Sequence, residues 1–107
     1  MPKDWKARCA RVRERDAHRC RRCGVERWGP AAAVDHCLPR RLGGSHGPSN
    51  LVLLCSLCHS HKTRYVEPSM YAANLQPFYR FLQAIGQPQP SSRALAAAYR
   101  RLRALQA

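Results

Sequence analysis

Apolar residues recur along this chain in two rhythms, one helical and one extended. Trp5, Cys9 and Val12 stand at i, i+4 and i+7 and mark one stripe of a helix over residues 4–17, with Asp4 placed to cap it. Arg8, Arg11 and Arg15 line a neighbouring face, suited to phosphate contact or to plain solvation. Ala32 to Leu38 contains a short strand, and Pro39 ends it. The run Leu51-Val52-Leu53-Leu54 predicts a second strand antiparallel to the first, across a Gly-, Ser-, Pro- and Asn-rich loop from Arg40 to Asn50. A helix is expected from about Cys58 to Tyr65. Farther on, Pro77 opens a helix with Phe78, Phe81, Leu82 and Ile85 on its apolar face, and Gly86 closes it. Gln87-Pro88-Gln89-Pro90 is a short stiff linker, after which Ser91 or Ser92 caps a last helix carrying Leu95, Tyr99, Leu102 and Leu105 on one side.

Two strands and a few short helices are little with which to build a core. At 107 residues the chain is one small α+β unit, and chains of this size often need a metal or disulfide staple. Six cysteines are present, and four form two Cys-x-x-Cys pairs, Cys20/Cys23 and Cys55/Cys58. The N-terminus has no apolar run of the kind a signal peptide needs, so a reducing, cytoplasmic setting is expected. There the pairs read as a closed four-thiolate zinc site before they read as disulfides. Four thiolates leave no open position on the metal, so chemistry must lie elsewhere. Cys9 sits on the apolar stripe without a partner and reads as a core thiol. The segment 1–65 reads as the zinc-stapled domain. Residues 66–107 read as a helical extension that packs on it or meets a partner or a second copy.

Charge narrows the partners. The formal net charge is +13, from 19 Lys and Arg against 6 Asp and Glu. Such a surplus favours a polyanion through counterion release, with nucleic acid the first reading and an anionic membrane surface the weaker one.

Between the knuckles lie Val34-Asp35-His36 and then Asn50, and His59 follows directly behind the last cysteine. A histidine such as His36 accepts a proton from water at neutral pH. Asp35 offers a hard oxygen of the kind Mg²⁺ takes. The zinc site would fix His59 at the start of a helix. A strand sends successive side chains to opposite faces, but near a strand end Asp35 and His36 could address one cleft. Carboxylate, imidazole, waters and a phosphate oxygen would complete a divalent-metal site for phosphodiester hydrolysis.

The series Val34-Asp35-His36-x-x-Pro39, Gly43-Gly44, Asn50-Leu51 and Leu54-Cys55-x-x-Cys58-His59-x-x-Lys62-Thr63 resembles the HNH endonuclease family with its ββα-metal fold. Upstream, Arg15-Asp16-x-x-x-Cys20-x-x-Cys23-Gly24 resembles the zinc-knuckle form found in phage and bacterial members. The resemblance implies His36 as the general base and Asp35 and His59 as ligands of a catalytic Mg²⁺ or Mn²⁺. It further implies Asn50 as a brace for the loop between the strands and Lys62 as a phosphate contact. The implied substrate is DNA, expected to be double-stranded and held by Arg8, Arg11, Arg15, Arg40, Arg41 and Lys62. The implied setting is the cytoplasm of a bacterium or of a phage-infected host. The alternative is a non-catalytic zinc-ribbon module, or a subunit of a larger DNA-processing complex. Cys37 stands where members often carry an aliphatic residue, His46 and His61 are extra histidines that read as surface residues, and the chain beyond Val66 matches nothing in the family.

Overall fold

The computed structural model describes residues 1–106. Helix α1 spans Trp5–Arg15 with Cys9 and Val12 buried, close to the predicted stripe. Asp4 does stand at its N-cap, but the carboxylate bonds no backbone N–H. It accepts from Arg8 Nε at 3.0 Å instead, because a charged partner one turn away is the stronger donor.

Strand β1, Ala32–His36, pairs antiparallel with β2, Leu51–Cys55, in a register running from Ala32 opposite Cys55 to His36 opposite Leu51. A lone hairpin is marginal in water, so its neighbours must cover it. Every residue of β2 is buried. On one side α1 is tied down by Arg13, which donates to the Ala32 carbonyl, and by Arg15, which donates to the Leu51 carbonyl. On the other side runs the helix that follows β2.

That helix starts before Cys58 and does not end at Tyr65, as the sequence reading expected. Helix α2, Ser56–His61, passes into one π-helical turn, Lys62–Val66, and on into α3, Glu67–Tyr71. Pro68 lies in the first turn of α3, where its missing N–H does least harm. A proline there looks like a stop in sequence, and the wider turn before it leaves no mark in hydropathy.

Helices α4, Gln76–Ala84, and α5, Ser92–Gln106, complete the chain. Ser91 is the α5 cap, its Oγ accepting from the Ala94 N–H at 3.1 Å. Phe78, Phe81, Leu82, Ile85, Ala98 and Leu102 belong to the same buried cluster as Leu38, Leu42, Val52, Leu54 and Met70. The apolar face of α4 thus lies in the core, and α5 joins it through Ala98 and Leu102, while Leu105 of the predicted stripe is 49% exposed. Among the described residues no helix is long and apolar enough to cross a membrane.

Candidate metal centres and active site

The four paired cysteines converge. The Sγ atoms of Cys20, Cys23, Cys55 and Cys58 all lie within 4.8 Å of one another, and Cys23 and Cys55 are 3.7 Å apart. A zinc ion with Zn–S bonds of about 2.3 Å would set tetrahedral edges of about 3.8 Å. The donor set and spacing therefore fit structural zinc. The local chain is shaped for it. Gly24, at φ +82°, turns the first knuckle so that its N–H reaches the Cys20 carbonyl at 2.8 Å. Arg21 N–H binds the Leu53 carbonyl at 3.0 Å and sews that knuckle to β2. In the second knuckle, Cys58 N–H donates to Cys55 Sγ at 3.4 Å, and Arg22 reaches Cys58 Sγ at 3.6 Å. Burial alone would raise the Cys20 thiol, but backbone N–H groups of Cys55, Cys23 and Arg22 pull it down to about 6, toward the thiolate that binds metal.

The zinc site fixes the start of α2 and hence His59. His59 Nε2 lies 3.9 Å from Asp35 Oδ1, across the hairpin. Two atoms that share one Mg²⁺ ion are at most about 4.2 Å apart, given bonds of about 2.0–2.1 Å. The pair therefore fits a divalent cation, and the half-exposed His59 ring has room to adjust.

Asp35 has a second neighbour that sequence reasoning assigned elsewhere. Lys62, expected at the phosphate, is 0% exposed and turned inward. Its Nζ lies 2.9 Å from Asp35 Oδ2 and 2.8 Å from Glu67 Oε2, and it donates to the His36 carbonyl at 2.8 Å. Burial alone would lower its pKa, but Asp35 and Glu67 outweigh that and hold the ammonium above its ordinary range. A buried ammonium with these three partners does not reach a backbone phosphate.

His36 leaves β1 on the opposite side from Asp35, as the alternation of a strand demands. Its ring stacks on Trp5 of α1, with centroids 5.4 Å apart and planes 3° from parallel. Its Nε2 is 2.9 Å from His46 Nδ1. Burial first, and the neighbouring His46 second, lower its pKa, so the neutral imidazole prevails at pH 7. Asp35 and His36 nevertheless border one open cleft around the end of the strand, rimmed by Pro39, Arg40, Arg41, Lys62, Glu67 and Tyr71.

Asn50 ties the loop that follows β1 to itself. Its Oδ1 accepts from Leu38 N–H at 2.8 Å, and its Nδ2 donates to the carbonyls of Leu38 and Ser45 at 3.1 and 2.9 Å.

A model of the HNH endonuclease family matches residues 20–65. Residues 20–65 are an HNH domain. No curated protein matches the chain, and no solved structure does. The match begins at the first zinc-knuckle cysteine and ends in the π-helical turn. It therefore spans both strands and α2 of the ββα-metal core but leaves α1 and the tail outside. The match over this segment suggests a nuclease-family function.

The basic residues proposed for the HNH domain and its flanks divide into two groups. Arg15 grips Asp16 at 2.8 and 3.0 Å and the carbonyls of Pro48 and Leu51 at 2.8 Å, holding α1 against the loop. Arg8 is bound to Asp4 and to the His46 carbonyl. Arg11 is the most exposed of the three, its side chain 67% exposed with one nitrogen 3.8 Å from Asp4 Oδ2, and Arg40 and Arg41 are exposed at the cleft. Three residues near the HNH site carried no sequence signal of their roles. His46 and Glu67 lie in a polar loop and in the unrecognised helix α3. Trp5 was legible only as part of an apolar stripe. The buried Cys37 thiol, next to His36, is pushed up to about 11 by burial and is inert at neutral pH.

Proposed function

We propose that the chain is a metal-dependent endonuclease hydrolysing phosphodiester bonds of double-stranded DNA, with His36 as general base and Asp35 and His59 as ligands of Mg²⁺ or Mn²⁺. The observation that carries this reading is the cleft bordered by Asp35 and His36, with His59 Nε2 3.9 Å from Asp35 Oδ1. A divalent cation held there would supply Lewis-acid stabilisation of charge on the phosphate and the leaving oxygen.

The chain's own residues do the rest. Arg40 and Arg41 draw the DNA backbone to the cleft, and Arg11 extends the basic track along α1. His36, neutral at pH 7, removes a proton from a water beside the scissile phosphorus. Its Nε2 is engaged with His46 Nδ1, so Nδ1 is the nitrogen assigned to the water. Lys62 holds the Asp35 carboxylate in place through Oδ2 and is itself paired with Glu67. Asn50 acts at one remove by holding the loop that follows β1 in shape.

The test is cleavage of supercoiled plasmid by zinc-loaded protein with added Mg²⁺ or Mn²⁺, beside His36→Ala and Asp35→Asn. Divalent-dependent nicking or linearisation, lost by at least about a hundredfold in both variants while DNA affinity stays, is the expected result. Salt-sensitive binding with no cleavage under any metal would identify a non-catalytic DNA-binding module instead.

A further inference from the structure

The nuclease reading assigns His36 its chemistry but does not say what holds the ring in the productive state. An imidazole works as a base only if its free nitrogen faces the water and the other nitrogen carries the proton. His36 has three neighbours that bear on this. Trp5 lies parallel to the ring and blocks rotation on one side. The Nε2 of His36 meets His46 Nδ1 at 2.9 Å. Lys62 Nζ donates to the His36 carbonyl and so holds the backbone there.

His46 is itself fixed. Arg8 Nη1 donates to the His46 carbonyl at 2.7 Å, and Asp4 holds Arg8 by its Nε at 3.0 Å. The His46 ring also meets Trp5 edge-on, with centroids 5.9 Å apart. Asp4, Trp5 and Arg8 belong to α1 or its cap, which lies before the matched segment 20–65.

We propose that His46, clamped by Trp5 and Arg8 of α1, is the positioning residue of the nuclease site, fixing both the ring plane and the tautomer of His36. In this arrangement His36 Nε2–H donates to His46 Nδ1, and His36 Nδ1 is left with the lone pair that accepts the proton from water. The proposal rests on His36 being the base. It makes the N-terminal helix a part of the catalytic apparatus, beyond what the HNH segment itself carries.

The experiment compares zinc-loaded wild type, His46→Ala and His46→Asn, with His36→Ala as the inactive reference. Asparagine can present its amide oxygen near the position of the His46 Nδ1 acceptor, whereas alanine cannot. Two readouts are taken on each protein: cleavage kinetics on plasmid, and long-range ¹H–¹⁵N NMR of the His36 ring. His46→Ala is expected to lower kcat by about ten- to a hundredfold with KM within about twofold, the scale seen when an orienting partner is lost. His46→Asn is expected to restore most of that loss. In the NMR spectra, wild type and His46→Asn should hold His36 as the Nε2–H tautomer, and His46→Ala should show an exchanging mixture. Thermal unfolding of the three proteins checks that each is folded.

Wild-type kcat in His46→Ala would overturn the proposal, as would a His36 tautomer unchanged in that variant. A wild-type His36 protonated on Nδ1 would overturn it equally. Failure of the nuclease reading is seen separately, as wild type cutting no better than His36→Ala. In that case the tautomer measurement alone decides whether His46 positions His36.

Discussion

Lys62 Nζ lies 2.9 Å from Asp35 Oδ2 and is wholly buried beneath the cleft that Asp35 and His36 border. One ammonium serves two carboxylates, Asp35 and Glu67. Desolvating three charges is costly, and the arrangement persists because each is paired with another and the ammonium also donates to a carbonyl. The residue that looks in sequence like a phosphate hook is an internal strut.

Lys62→Met is therefore expected to cost about 3–5 kcal/mol, the penalty for stranding buried charges, measured by urea unfolding of the zinc-loaded protein. Adding Glu67→Gln should recover part of it. A DNA-affinity series in salt separates the two roles. Loss of a phosphate contact lowers the log–log salt slope by about 1. Arg11→Ala should show that drop, and Lys62→Met should not.

Gly44 is obligatory where Gly47 is not. A Cβ on Gly44 would stand 1.7 Å from the Leu38 carbonyl oxygen and 2.9 Å from Asn50 Nδ2, within the brace itself. On Gly47 the nearest atom is Ser45 Oγ at 3.4 Å, and the backbone there is extended at φ −69°. Gly44→Ala should lower stability by roughly 3 kcal/mol or more and release the Asn50 hydrogen bonds. Gly47→Ala should stay within about 0.5 kcal/mol of wild type. Paired thermal denaturation curves decide between them.

Asp16 joins three parts of the fold. Its carboxylate takes bonds from Arg15, from Arg21 at 3.1 Å and from the Leu53 N–H at 3.1 Å. Burial pushes its pKa up, but those donors outweigh it and hold the carboxyl below its ordinary 3.8. A depressed carboxyl stabilises fully above the unfolded value and loses that contribution as pH falls through the native one. Asp16→Asn should thus cost about 2–4 kcal/mol, constant from roughly pH 5.5 to 8 and shrinking only below the unfolded pKa. A cost that changes between pH 6 and 7 would point to a histidine and count against Asp16.

Removal of zinc should unfold the domain rather than merely inactivate it. The four thiolates link the first knuckle to β2 and α2, and a structural zinc site of this kind supplies on the order of 10 kcal/mol of folding energy. Chelation is expected to abolish the near-ultraviolet dichroism of Trp5 and Trp28, and zinc readdition to restore it. An apo protein that kept its tertiary signal would show that the apolar core suffices alone.

The sequence determined a good deal by itself, because some physical signals are local. Strand alternation and a Leu-Val-Leu-Leu run specify the hairpin. Cys-x-x-Cys spacing specifies a metal whatever the fold around it. The order Asp35, His36, Asn50, His59 is chemical and survives any change of packing. Tertiary structure decided what depends on direction and on distant partners. Whether Lys62 faced water or Asp35 turned on a π-helical turn that shifts side-chain phase, and no hydropathy pattern records that shift. Arg8 and Arg15 look alike on a helical wheel, yet both are bound to carbonyls and carboxylates of the fold, while Arg11 is left exposed. His46 meets His36 only because the loop closed by Asn50 returns it to the strand, 10 residues away in the chain. Contacts of that kind depend on where the backbone goes, and composition, spacing and periodicity carry no trace of them.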